Sequence, residues 1–226
     1  MLDHLAAFTF FFKQKGWFRR LLIASLLTFT IIGMAPVLGW CISIARRVAH
    51  GQEPPLPPED DWKTYWTQGG KFALVNLPWL LPFVLLELLL LLPAALIGRV
   101  PDETVLLAWV ILFSVVASLM FIYSLVYMFF IPAMIAVLAQ DGTTRQAMNP
   151  LHLARRMAPR ISAYALVFLI VGLGLTTAAG MLASISFFLL TAPLLVYVSL
   201  VTAHYSGQLA RPEAPLQKSP SRAPQE

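Results

Sequence analysis

One carboxylate lies deep inside an apolar run. Glu87 sits in Leu85-Leu86-Glu87-Leu88-Leu89, and a charge at the centre of a membrane helix costs about 2.5–3.5 kcal/mol on insertion scales. Two chemistries fit it. As a titrating group it is a proton- or substrate-linked carboxyl. Held by a hydroxyl on another helix, it is an interhelical lock, with Tyr123, Ser124, Tyr127, Thr176 and Thr177 as candidate partners. A second acidic group, Glu59-Asp60-Asp61, follows Leu56-Pro57-Pro58 and precedes Trp62. Helix capping and solvation account for it, with Asp60 as the N-cap; a metal or catalytic carboxylate pair is the alternative. His4, His50, His152 and His204 do not pair with one another or with an acid at metal-ligand spacing. No Gly-x-Ser-x-Gly elbow and no phosphate-cradling glycine loop is present. Cys41 is the only cysteine, which excludes an intrachain disulfide and a cysteine zinc site. These absences argue against a self-contained hydrolase, kinase or nucleotide-driven pump; the expectation is a protein that is not an enzyme and has no cofactor.

The segments around these residues are unusually apolar. Of 226 residues 58% are hydrophobic and 12% charged, and mean hydropathy is +0.74. Soluble domains carry about 25% charged residues, and several runs here exceed the ~18 residues needed for a span. The expected fold is all-α, a polytopic transmembrane helical bundle. It has five hydrophobic helical segments, four or five of them full crossings, plus amphipathic interfacial helices. Residues 1–206 form a single integral membrane domain, and 207–226, rich in proline, form a disordered cytoplasmic tail.

The first apolar run, Leu21 to Ile44, is broken at Gly33-Met34-Ala35-Pro36. Trp62, Tyr65, Trp66, Gly69, Phe72 and Ala73 then recur at helical spacing, which predicts an interfacial helix over 61–70 that feeds the second run, 72–98. Asp102 caps a helix from Glu103 towards Gln140, predicted to bend near Pro132 so that 133–140 emerges into the interface. Asp141-Gly142 ends it. Asn149-Pro150 starts a basic helix with Leu151, Ala154, Met157 and Ala158 on one face, and Arg155, Arg156 and Arg160 available to anionic lipid. A plain basic loop is the other reading. Residues 161–205 contain no Asp, Glu, Lys or Arg and are long enough for a hairpin, whose turn is predicted at the small residues from Thr176 to Ser184. Asn76 reads as a helix-packing group.

The 16 basic residues bear on topology. Four lie in the N-terminal arm, four between the first two runs, one at Arg99, four in 145–160 and three in the tail. Five crossings would place 5 on one side and 11 on the other. If residues 21–45 form a re-entrant hairpin bent at Gly33–Pro36, the division is 15 to 1, which the positive-inside rule favours. Length favours a full crossing, since the run can reach about 36 Å.

Arg46-Arg47-Val48-Ala49-His50-Gly51, Leu56-Pro57, Asp60-Asp61-Trp62 and Gly69-Gly70 together resemble a membrane family defined as domain of unknown function 4013. The ending Ala203-His204-Tyr205-Ser206-Gly207-Gln208-Leu209 is also similar to that of the family, and Pro132 with Asp141-Gly142 fits its middle. Pro58 stands where an acid is common. The resemblance spans roughly residues 17–210. It implies a multi-pass protein of a bacterial or archaeal cell membrane and no established activity. The expected function is a non-catalytic scaffold or lipid-interacting accessory. The alternative is a small transporter or permease component, and an enzyme acting on lipid comes third. The expected partners are the lipid bilayer, anionic lipids and another membrane protein, with no nucleic acid.

Overall fold

A computed structural model describes residues 2–53, 61–97, 103–186 and 190–211. Every regular element among them is helical. Short α1 (His4–Thr9) leads through a turn to α2 (Trp17–Thr28) and α3 (Ile31–Ala49). Two long helices follow, α4 (Trp62–Ile97) and α5 (Glu103–Ala139). Then come α6 (Thr144–Met148), α7 (Pro150–Met157) and a 3-10 turn at Ala158–Arg160. The last arm is α8 (Ile161–Val167), a π-helical stretch at Phe168–Leu175, α9 (Thr176–Ile185) and α10 (Thr191–Ala210). Among the described residues, four segments are long and apolar enough to cross a membrane: 32–49, 62–91, 103–139 and 150–185. The helical bundle expected from composition is therefore present.

The first apolar run folds as a hairpin, but its corner is at Phe29–Thr30 and not at Gly33–Pro36. Thr30 is extended, and its hydroxyl accepts the Gly33 amide, which caps α3. Gly33 packs against the Leu27 carbonyl, where a side chain would collide with backbone. Pro36 lies inside α3. At ~1.5 Å per residue the 12 residues of α2 reach about 18 Å, well short of a ~30 Å hydrocarbon core. α2 packs back on α3, a geometry that suits the same-side arrangement.

No separate helix occupies 61–70. These residues are the first turns of α4, which continues unbroken to Ile97. Asp61 accepts the Thr64 amide at 3.3 Å; Asp60, the expected cap, lies outside the described residues. Tyr65, Gln68, Gly69 and Phe72 are buried, while Trp62 and Trp66 stay exposed. The cause is close approach to α3. Gly39 lies on the Tyr65 backbone and Gly69 on the Ala35 carbonyl, so neither position has room for a side chain.

Two further expectations change. Residues Ala133–Ala139, expected to reach the membrane interface, are the most buried stretch of α5 within the bundle. The hairpin turn of the last arm is not at Thr176–Ser184, which is helical. The turn begins at Ser186, whose hydroxyl accepts the Leu190 amide. Thr and Ser satisfy themselves inside helices by donating to a carbonyl one turn back, so small polar residues do not oblige a turn. Residues 207–210, expected at the start of a disordered tail, are the buried last turn of α10. Residues 56–60, Arg99, Asp102 and 212–226 lie outside the described residues.

Candidate functional site

The ends of α3, α5 and α10 meet at one end of the bundle. Arg46 near the end of α3 donates to the Leu138 carbonyl of α5 and pairs with Asp141 at 2.7 Å. Asp141 is left-handed, φ 57, and the Gly142 amide reaches back to the Val137 carbonyl at 2.9 Å. That is a Schellman ending with Asp in the place usually held by Gly, and it aims the carboxylate at Arg46. A cation at a helix C-terminus also meets the negative end of the dipole. Arginine can only donate, so the Gln68 amide oxygen faces Arg46 at 3.2 Å and its nitrogen donates to Ser43 Oγ at 2.8 Å. Gly51 ends α3 with φ +66, and the Gln52 amide closes onto the Arg47 carbonyl.

The last turns of α10 close this end like a clasp. The Gln208 amide takes both backbone groups of Asp3: its oxygen accepts the Asp3 N–H at 2.7 Å and its nitrogen donates to the Asp3 carbonyl at 2.9 Å. Tyr205 OH bonds His4 Nδ1 at 2.8 Å, and His204 stacks on Phe10 at 4.7 Å. Gly207 packs on Ala45 of α3, and Arg211 Nε donates to the Val48 carbonyl. Each polar member of the ending Ala203–Leu209 thus has a packing or hydrogen-bonding task.

The three arginines offered to anionic lipid divide. Arg160 donates to the Leu209 and Arg211 carbonyls at 2.9 and 3.0 Å. Arg156 donates to Gln140, which in turn donates to the Ala210 carbonyl. Both are structural. Arg155 is exposed. Asn149 caps α7 by accepting the Leu151 and His152 amides. The buried face is Leu153 and Met157; Leu151, Ala154 and Ala158, expected to share a face with Met157, point outward. Arg145 and Lys71 are also exposed at this end. A capping box between Thr143 and Gln146 positions α6; its Thr-x-x-Gln spacing was readable in the sequence.

Glu87 is exposed on the side of α4. The lock expected of it does not form with its main candidates, whose hydroxyls donate elsewhere. Tyr123 bonds the Trp79 carbonyl, Ser124 the Phe121 carbonyl and Thr176 the Val171 carbonyl. Besides the Tyr123–Trp79 bond, α4 and α5 are locked by Asn76, which accepts from Tyr127 OH and donates to the Phe72 carbonyl. Of the motif residues, Leu56, Pro57 and Asp60 lie outside the described residues; Asp61 and Trp62 start α4.

A cavity of about 230 Å³ lies between α3, α5, the π-helical arm and α10, with Phe72 of α4 at its edge. Sequence reasoning missed it, because a void depends on how helices stand apart.

The model of a family of proteins of unknown function, DUF4013, matches residues 22–188. No curated protein and no solved structure matches the chain.

Proposed function

The chain belongs to the DUF4013 family of proteins of unknown function, and from that premise we propose a non-catalytic, multi-pass protein of the cell membrane that gathers anionic lipid at its basic end. The observation that carries this reading is the placement of Arg145, Arg155 and Lys71. All three are exposed at the end where α3, α5 and α10 meet. Basic residues near an anionic surface contribute about 1 kcal/mol each. The scaffold role is to hold another membrane protein, or a patch of lipid, against that face.

The test is lipid exchange. Purified full chain is equilibrated with equal anionic and neutral phospholipid, and retained lipid is counted by native mass spectrometry. Anionic lipid is enriched, and the enrichment falls in high salt and in the double variant Arg145→Ala, Arg155→Ala. Equal retention of both lipids ends the proposal. The transporter reading places Glu87 on a path. Glu87 is on the outer side of α4 and does not line the cavity, which favours the scaffold. Solute flux through proteoliposomes, or turnover of lipid by the purified chain, would replace it.

A further inference from the structure

We propose that the cavity is a binding site for one hydrocarbon chain of a membrane lipid. This goes beyond the reading above: it needs the membrane placement and is indifferent to headgroup charge.

The lining decides the ligand class. Leu38, Phe72, Ile131, Val167, Val171 and Val198 contribute hydrocarbon. The lining hydroxyls are already committed. Ser199 donates to the Leu195 carbonyl, Thr202 to the Val198 carbonyl and Thr176 to the Val171 carbonyl, while Tyr127 donates to Asn76. Water needs two to four polar partners to occupy a buried site, and these groups point their hydrogen atoms away from it. The space also exceeds the ~150 Å³ apolar cavity that stays dry yet admits benzene. With the hydroxyl hydrogens spent elsewhere, mostly hydrocarbon and acceptor lone pairs face the space, so it suits an apolar occupant better than water.

The wall explains how a chain enters. One side is the π-helical stretch Phe168–Leu175, and π geometry inside α-helices is found frequently at functional sites. Gly172 contributes no side chain and sits against the Phe168 ring. Met128, Gly172, Thr176 and Val198 on the lining are only partly buried, so the cavity communicates with the outside of the bundle. Outside that wall the helices are lined by exposed leucines and other large apolar residues, the surface that faces lipid tails. Hydrocarbon chains are the abundant solute at that depth. Straight acyl chains and branched polyprenyl chains share the required chemistry.

The test uses the full chain in vesicles of neutral phosphatidylcholine, so a failure of the anionic-lipid reading leaves it untouched. One preparation carries a phosphatidylcholine with a photoactivatable diazirine in its acyl chain, and another a diazirine polyprenyl alcohol. After photolysis, labelled residues are mapped by mass spectrometry. Cys41, Met128 and Val171 are labelled by at least one probe, and the stronger probe identifies the source. Ser199→Phe fills the cavity and lowers that labelling at least fivefold. Leu195→Phe, exposed on the same helix and off the lining, leaves it unchanged. Met128→Trp fills the space from the opposite wall and serves if Ser199→Phe does not fold. Label confined to the outward leucines of α4 and α5 overturns the proposal. So does cavity label that survives both filling variants.

Discussion

At the scale of single residues, similar side chains have opposite tasks. Arg160 donates to two carbonyls of the α10 end, and hydrogen bonds to charged groups contribute about 1.5–3 kcal/mol. Arg160→Ala should lower thermal stability in detergent by that order. Arg155→Ala should leave the melting temperature unchanged and reduce retention of anionic lipid. A shared loss of stability in both variants would refute this division. A second pair separates the polar groups of α4. Asn76→Leu removes the interhelical bond to Tyr127 and should cost about 0.6–1.7 kcal/mol. Glu87→Leu should cost nothing in lipid nanodiscs and should insert more readily, since no main candidate hydroxyl holds the carboxyl. A lower melting temperature for Glu87→Leu would show that Glu87 has a structural partner. The sequence marked Glu87, Asn76 and the arginines as unusual for their surroundings. It did not say which was anchored, because the anchors come from other elements: the Leu209 and Arg211 carbonyls for Arg160, the Gln140 side chain for Arg156 and the Tyr127 hydroxyl for Asn76.

At the scale of elements, helices were legible and their corners were not. Apolar runs, Asn149-Pro150 and Asp141-Gly142 located α4, α5, α7 and the end of α5, since composition and capping act locally. The corner at Thr30 was hidden because a single hydroxyl caps a helix start within an apolar run. The small residues from Thr176 to Ser184 suggested a turn, yet each is tolerated in a helix that neighbours support. The α3–α4 contact depends on absent side chains. Gly69→Ala should therefore drive the helices apart and destabilise by about 1–3 kcal/mol, as overpacking does. Gly70→Ala, with open space around it, should be neutral or slightly stabilising. Thermal unfolding of both variants in one detergent makes the comparison, and equal effects would refute close approach as the reason for Gly69.

At the scale of the whole molecule, the bundle is compact at one end and open at the other. Core residues concentrate where α3, α5 and α10 finish, while the outer halves of α4 and α5 expose large apolar side chains. The α2–α3 hairpin returns the chain to the compact end. Lys15→Cys and Lys63→Cys should accordingly react with a membrane-impermeant thiol reagent from the same, cytoplasmic, side. Labelling from opposite sides would require the first run to cross completely.

The clasp between Asp3 and Gln208 joins positions 205 residues apart. At ~5–20 residues synthesised per second, the amide that holds Asp3 emerges roughly 10–40 s after it. During that interval the faces of α1 and α3 that α10 will cover have no intramolecular partner. Assembly of the compact end is thus a late event in biosynthesis: the surfaces of the first helices that α10 covers stay open until the last helix arrives.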